Sequence, residues 1–181
     1  MLIKTIFAGF GGQGVLSMGL NLAQAAMLED KYVTYLPSYG AEVRGGTANC
    51  TVSISDEEIA SPVASSPEYV VALNRPSVVR FQHQIESGGI FFVNSTLVDY
   101  DIPRGDIDVV KIPASKIADD LGSGRSTNMV MLGAFVKQSN LVSFDSLILG
   151  LEKALKGKTK VIEINTKALQ AGYDFLSIWK Q

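Results

Sequence analysis

Six residues near the start of the chain, Gly9-Phe10-Gly11-Gly12-Gln13-Gly14, leave nearly bare backbone where an anion or another chain's loop can approach. Four of the six carry no side chain. The turn is therefore free to take positive φ angles and to bring its amides to the positive end of a following helix. The pattern G-x-G-x-x-G at Gly9, Gly11 and Gly14 is that of a dinucleotide-binding turn. Such a site also needs an acid about 20 residues further on, at the end of the second strand, to grip the ribose hydroxyls. Here Tyr32-Val33-Thr34-Tyr35-Leu36 is followed by Pro37-Ser38-Tyr39-Gly40, and no acid stands there. Glu29 and Asp30 come before that strand and Glu42 lies beyond it. Three readings of the turn stand: a nucleotide site, against which the missing acid weighs; a tight turn with no ligand; and a docking or cofactor-proximal loop, which the residues favour.

A second glycine-rich stretch, Ser38-Tyr39-Gly40-Ala41-Glu42-Val43-Arg44-Gly45-Gly46, carries two opposite charges. Glu42 and Arg44 read either as a solvated loop pair or as an interface pair, because the planar guanidinium suits a carboxylate or a phosphate. Other candidates are weaker. Gly157-Lys158-Thr159 ends like a phosphate-binding loop, but its earlier glycine is Gly150, two residues too far, and the segment is expected to follow a helix and lead into a strand, the reverse of the order such a loop needs. Gly122-Ser123-Gly124-Arg125-Ser126-Thr127 reads as a polar loop that caps the next helix or faces an interface. The single histidine, His83, sits in a polar helical segment with no companion histidine or cysteine near it. Cys50, the single cysteine, falls on the apolar side of a strand and reads as a small core residue. No residue is assigned a catalytic or a metal-binding role.

These loops need elements to hold them. The apolar run at residues 2–8 predicts a strand, and residues 15–28 a helix. Residues 32–36 predict a second strand, with a loop over 37–46. Residues 47–54 alternate, with Thr47, Asn49, Thr51 and Ser53 on one side and Ala48, Cys50, Val52 and Ile54 on the other, as in a half-buried strand. Asp56-Glu57-Glu58 reads as a solvated turn. Further strands are expected at 69–73, 90–93, 109–112 and 161–164, and helices at 76–86, 113–121, 128–139, 143–155 and from 165 or 166 to 179. Continuous apolar strands between helices predict one α/β, Rossmann-like domain over residues 1–181. Its three layers are a mostly parallel or mixed sheet with helices on both faces. Ligands gather at the carboxyl ends of such strands, so the loops after the first and second strands are expected on one edge.

Composition narrows the class. In 181 residues, 46% hydrophobic content supports a well-buried core. A formal net charge of −2 with no block of like charge gives no case for nucleic acid or an anionic membrane. No apolar run is long enough to cross a bilayer, and the first strand breaks at Gly9 too early for a secretion signal, so the expectation is a cytoplasmic protein. One cysteine cannot ligate an iron–sulfur cluster.

Four blocks then carry a resemblance: Gly9 to Val15; Ser38 to Gly46; Ser53-Ile54-Ser55-Asp56-Glu57-Glu58-Ile59; and Asn128-Met129-Val130-Met131-Leu132-Gly133-Ala134. In this order and spacing the chain resembles the gamma subunit of 2-oxoacid:ferredoxin oxidoreductases. Phe10 and the Tyr39 to Gly46 stretch look most like the 2-oxoglutarate branch, with pyruvate and branched-chain members as alternatives. The resemblance implies a complex that decarboxylates a 2-oxoacid onto coenzyme A with thiamine diphosphate, Mg and iron–sulfur clusters, and reduces ferredoxin. The implied partners are alpha, beta and ferredoxin-like delta subunits; apart from the resemblance, a homodimer that covers an exposed apolar patch is one option for the isolated chain. The cofactors would be held by those partners; Gly105-Asp106-Ile107 departs from the Gly-Asp-Gly metal-diphosphate motif. The residues expected near a ligand or an interface are Gly9, Gly11, Gly12, Gln13, Gly14, Ser38, Tyr39, Gly40, Glu42, Arg44, Gly45, Gly46 and Asn128. A stand-alone nucleotide-binding Rossmann-like protein is the rival reading.

Overall fold

The computed structural model describes residues 1–39, 47–63 and 65–179. Within them six strands form one mixed sheet in the order β2-β3-β1-β4-β5-β6. The strands are β1 (Leu2–Phe10), β2 (Tyr32–Tyr39), β3 (Thr47–Ser55), β4 (Tyr69–Ala72), β5 (Ile90–Asn94) and β6 (Asp108–Ile112). β1, β4, β5 and β6 run parallel, and β3 lies antiparallel between β1 and β2. β2 is therefore parallel to β1, and both end at the same edge.

The helices are α1 (Val15–Leu28), α2 (Arg75–Phe81), α3 (Ala114–Asp120), α4 (Thr127–Ser139), α5 (Phe144–Ala154) and α6 (Thr159–Trp179). Alternation along the strands sends Phe7, Cys50, Val71 and Phe92 into a core shared with α1, α4, α5 and α6, while Ile6, Ala8, Val70 and Phe91 meet Val78 and Phe81 of α2 on the opposite face. Phe135 of α4 joins helix to sheet, packing edge-on against Phe7, Tyr69 and Phe92 at centroid distances of 5.4–5.5 Å. Such pairs add about 0.5–1.5 kcal/mol each beyond the area they bury. α4 and α6 touch backbone to backbone. A Cβ on Gly133 would collide with the Leu169 carbonyl, and one on Gly172 with the Val130 carbonyl.

Several boundaries differ from the sequence expectation. The apolar run Val161-Ile162-Glu163-Ile164 belongs to α6, not to a seventh strand. Its β-branched residues begin a helical stripe that continues through the buried Ala168, Leu169 and Leu176, and a short apolar run cannot by itself decide between the two periods. β1 continues through Gly9 and Phe10, whose partners are Ala48 and Thr47 of β3, so the first glycine of the motif is strand and not turn. β2 runs on through Pro37 to Tyr39. Pro37 is tolerated because β2 is the edge strand, where a missing N–H need not break a ladder. α2 stops at Phe81, short of Glu86: Arg104 Nη1 donates to the Gln82 and Ile85 carbonyls at 3.0 and 2.8 Å, so the chain turns there instead of continuing as helix. On β3 the polar side is sheltered too, with Asn49 and Ser53 buried, because the strand lies inside the sheet.

Candidate functional site

The glycine turn joins β1 to α1 on one face of the sheet, while β4, the next strand, leads to α2 on the other. The chain thus diverges between β1 and β4, where open α/β sheets form their ligand crevice. Here a side chain bridges that crevice from within. Gln13 Oε1 accepts from the Phe10 N–H at 2.7 Å and from Asn74 Nδ2 at 2.9 Å. Asn74 Oδ1 in turn caps α2 by accepting from the Ser77 N–H at 2.9 Å. One amide therefore staples the turn after β1 to the turn after β4. Gly9 makes room for it, since a Cβ there would stand 2.8 Å from Gln13 Oε1 and 2.7 Å from Val15 Cγ2.

The far end of the turn is held as firmly. Gly14 caps α1 with φ 72°, a left-handed conformation that favours glycine. Asn128 Nδ2 donates to the Gly14 carbonyl at 3.1 Å from the first turn of α4, and a Cβ on Gly14 would strike that amide. Between these clamps Gly11 and Gly12 stay exposed, with Gly12 at φ 95°. They overlook a cleft of about 280 Å³ lined by Gln13, Leu73, Leu97, Ser115, Arg125 and Thr127 among others. Arg125 is exposed and makes no ion pair with any described residue.

The expected site residues distribute as follows. Gly11, Gly12, Gln13 and Gly14 form the turn, Gly9 lies in β1, and Asn128 is buried behind Gly14. Ser38 and Tyr39 belong to β2, whose last residue pairs with Ala48 beside the Phe10–Thr47 pair, so the end of β2 and the glycine turn share one edge. Gly40, Glu42, Arg44, Gly45 and Gly46 lie outside the described residues. Sequence reasoning missed Asn74 and did not single out Arg125. The available signal for Asn74 was its place just before Arg75-Pro76, since asparagine ahead of a proline-started helix is an N-cap pattern.

Among the described residues, the groups that could hold thiamine diphosphate with Mg, or an iron–sulfur cluster, are a poor match. Asp106 is engaged by Arg104, whose Nε donates to Oδ1 at 2.9 Å, and that hydrogen bond draws the carboxyl down to about 2. Cys50 is fully buried, and burial pushes its thiol up to about 12, the opposite of the exposed, thiolate-favouring setting that a ligand needs. His83 is exposed on the segment after α2. No helix among the described residues is long and apolar enough to cross a membrane.

Residues 4–175 match the family described as pyruvate ferredoxin/flavodoxin oxidoreductase, and the chain belongs to that family. Within it, this is a chain of the gamma-subunit type. It is 40% identical over 96% of its length to the ketoisovalerate oxidoreductase subunit VorA of Methanothermobacter thermautotrophicus, of which it spans 36%. It is 35% identical to the 2-oxoglutarate synthase subunit KorC of Methanocaldococcus jannaschii, covering 92% of this chain and 90% of that one. Among solved structures, the gamma subunit of a keto/oxoacid ferredoxin oxidoreductase from Geobacter sulfurreducens superposes with a TM-score of 0.82 at 28% identity, over 95% of this chain and 96% of that one. A 2-oxoglutarate:ferredoxin oxidoreductase from Magnetococcus marinus, solved with 2-oxoglutarate, coenzyme A and succinyl-CoA bound, gives 0.86 at 28% identity over 94% of this chain and 30% of that one.

Proposed function

We propose that this chain acts as the gamma subunit of a multisubunit 2-oxoacid:ferredoxin oxidoreductase that converts a 2-oxoacid to an acyl-CoA, and that it works only in the assembled complex, with alpha, beta and ferredoxin-like partners in the cytoplasm. The observation that carries this reading is the Gln13 bridge across the crevice between β1 and β4. Gln13 ties together the two turns that a dinucleotide would have to lie between, and no acid follows the second strand to hold a ribose, which speaks against a stand-alone nucleotide-binding enzyme. Thiamine diphosphate, Mg and the clusters are assigned to partner subunits, because Asp106 and Cys50 are committed to other contacts.

Coenzyme A is the one small molecule of such a complex whose chemistry suits the edge of this chain in part. A cleft of about 280 Å³ with a free guanidinium at Arg125 and bare backbone at Gly12 suits a phosphate or another polar fragment, leaving the rest of the molecule to neighbouring subunits. When bound, coenzyme A supplies the thiol that accepts the acyl group; this chain's residues would only orient and shield it. Gly9, Gly11, Gly12, Gln13, Gly14, Ser38, Tyr39, Gly40, Glu42, Arg44, Gly45, Gly46 and Asn128 remain the residues proposed to stand near that ligand or an interface.

For the substrate, the sequence blocks and the length agreement with KorC favour 2-oxoglutarate. Ketoisovalerate is the second reading, favoured by the higher identity to VorA. The test is coenzyme A-dependent dye reduction by 2-oxoglutarate, pyruvate and 2-oxoisovalerate, with this chain alone, with candidate partners, and with the partners lacking it. Activity in the full complex alone is expected. Turnover by the isolated chain, or undiminished turnover without it, sinks the reading.

A further inference from the structure

A second cavity, of about 590 Å³, lies between α1, the start of α4, the end of α5 and the start of α6. Much of its polar lining is engaged within the chain, Arg125 excepted. Ser126 Oγ donates to Asn165 Oδ1 at 3.1 Å and shares a 2.9 Å contact with Ser123 Oγ, while Asn21 Nδ2 donates to the Ser17 carbonyl at 2.8 Å. The apolar lining is not. Leu20, Val161 and Ile164 border the groove at 44%, 43% and 45% exposure, beside Leu151 and Leu155. Contiguous apolar surface of this kind marks a place where something else binds.

The turn that adjoins the groove is rich in positive charge. The turn from α5 into α6 holds Lys153, Lys156, Lys158 and Lys160, four lysines and no acid in eight residues, although the chain as a whole is net −2. Lys156 follows the lining residue Leu155, and Lys160 precedes Val161. The turn is fixed by the Lys158 N–H donating to the Leu155 carbonyl at 2.8 Å and the Val161 N–H to the Lys158 carbonyl at 2.9 Å. All four lysines are exposed, and none makes an ion pair with a described residue. The nearest acids along the chain, Glu152 and Glu163, are exposed as well.

Resting on the subunit reading above, we propose that this groove receives an acidic, amphipathic segment of a partner subunit. Its apolar side chains fill the space beside Leu20, Leu155, Val161 and Ile164, and its carboxylates meet the lysines of that turn. Apolar anchors in a groove provide the affinity; the complementary charge speeds and orients docking. The groove meets the cleft at Gly12 only at Arg125, which lines both, and its occupant is a protein segment and not a cofactor.

The experiment co-expresses the full chain with its candidate alpha, beta and ferredoxin-like subunits. It compares the wild type with the triple variant Lys156→Glu, Lys158→Glu, Lys160→Glu and with Ile164→Glu, and places a photoreactive residue at position 164 for cross-linking and mass spectrometry. All altered side chains are exposed, so an unchanged melting temperature of the isolated variants confirms that they fold. The expected result is assembly weakened at least about tenfold in both variants, with the triple variant's loss masked at high salt, and a cross-link to a partner peptide rich in Asp and Glu. If the wild type assembles and both variants assemble equally well, the docking proposal falls and the subunit reading survives. A cross-link to a non-acidic segment, or to Asp56-Glu57-Glu58 of a second copy, also overturns it. Failure of the wild type to enter any complex sinks the subunit reading, and this proposal with it.

Discussion

Asn128 and Gly14, 114 positions apart in sequence, meet through a 3.1 Å hydrogen bond from the Asn128 side-chain amide to the Gly14 carbonyl. That contact sets the first turn of α4 against the cap of α1, and it leaves no room for a side chain at Gly14.

Gly14→Ala therefore incurs two costs, a left-handed φ and a collision with Asn128. The expected destabilisation is about 1–3 kcal/mol from backbone strain alone, before the collision is counted. Adding Asn128→Ala to Gly14→Ala removes the collision, so the double variant should be more stable than the sum of the single losses predicts. A thermal or urea double-mutant cycle checks this, and strict additivity would refute the contact as described.

Gln13 uses a single atom twice, as acceptor from the Phe10 N–H and from Asn74. Gln13→Glu keeps that acceptor and should remain close to wild-type stability. Gln13→Leu strands both donors and should lose about 1–3 kcal/mol. Urea midpoints of the two variants decide it; equal losses would mean that the staple contributes nothing.

Asp106 shows how acid should act on one loop. Its hydrogen bond with Arg104 lowers the carboxyl from 3.8 to about 2 in the folded chain. A depressed folded value means that the contribution is complete above pH 3.8 and is lost as pH falls towards 2. Asp106→Asn should flatten that part of the stability profile by lowering stability slightly at neutral pH and leaving it unchanged near pH 2, the loss being small because the partly exposed pair is screened. Melting curves from pH 5 downward provide the comparison.

Cys50 should be inert in the native protein. Its thiol is buried, pushed up to about 12, and packed so closely under Gly19 that a Cβ there would strike the sulfur. Thiol reagents at pH 7–8 are expected to label it only after denaturant is added. Rapid labelling without denaturant would contradict the packing.

The parts of this fold most legible in the sequence were those whose signal is local. The apolar runs of β1, β4 and β5 and the dense stretch of α4 lie where their composition places them, and the convergence of the β1 and β2 ends on one edge follows from strand order in such sheets. Val161 to Ile164 misled because four residues cannot separate a strand from the first turn of a helix. The deciding residues, Ala168, Leu169 and Gly172, lie up to three turns further on. At the edge, the glycines announced an unusual turn, but nothing in a linear pattern says that Gln13 folds back on Phe10 or that Asn74 comes to meet it. That pairing spans 61 positions and exists only once β1 and β4 lie side by side.

The backbone contact between α4 and α6 bears on how the neighbouring groove can respond to an occupant. Helices slide past one another by repacking an intervening layer of side chains. At Gly133 and Gly172 that layer is missing, because carbonyls of each helix lie against the glycine of the other. α6, which forms one wall of the groove, is thereby tied to the most buried helix of the protein. The wall is preorganised, so the entropy lost on ordering falls almost wholly on whatever enters the groove.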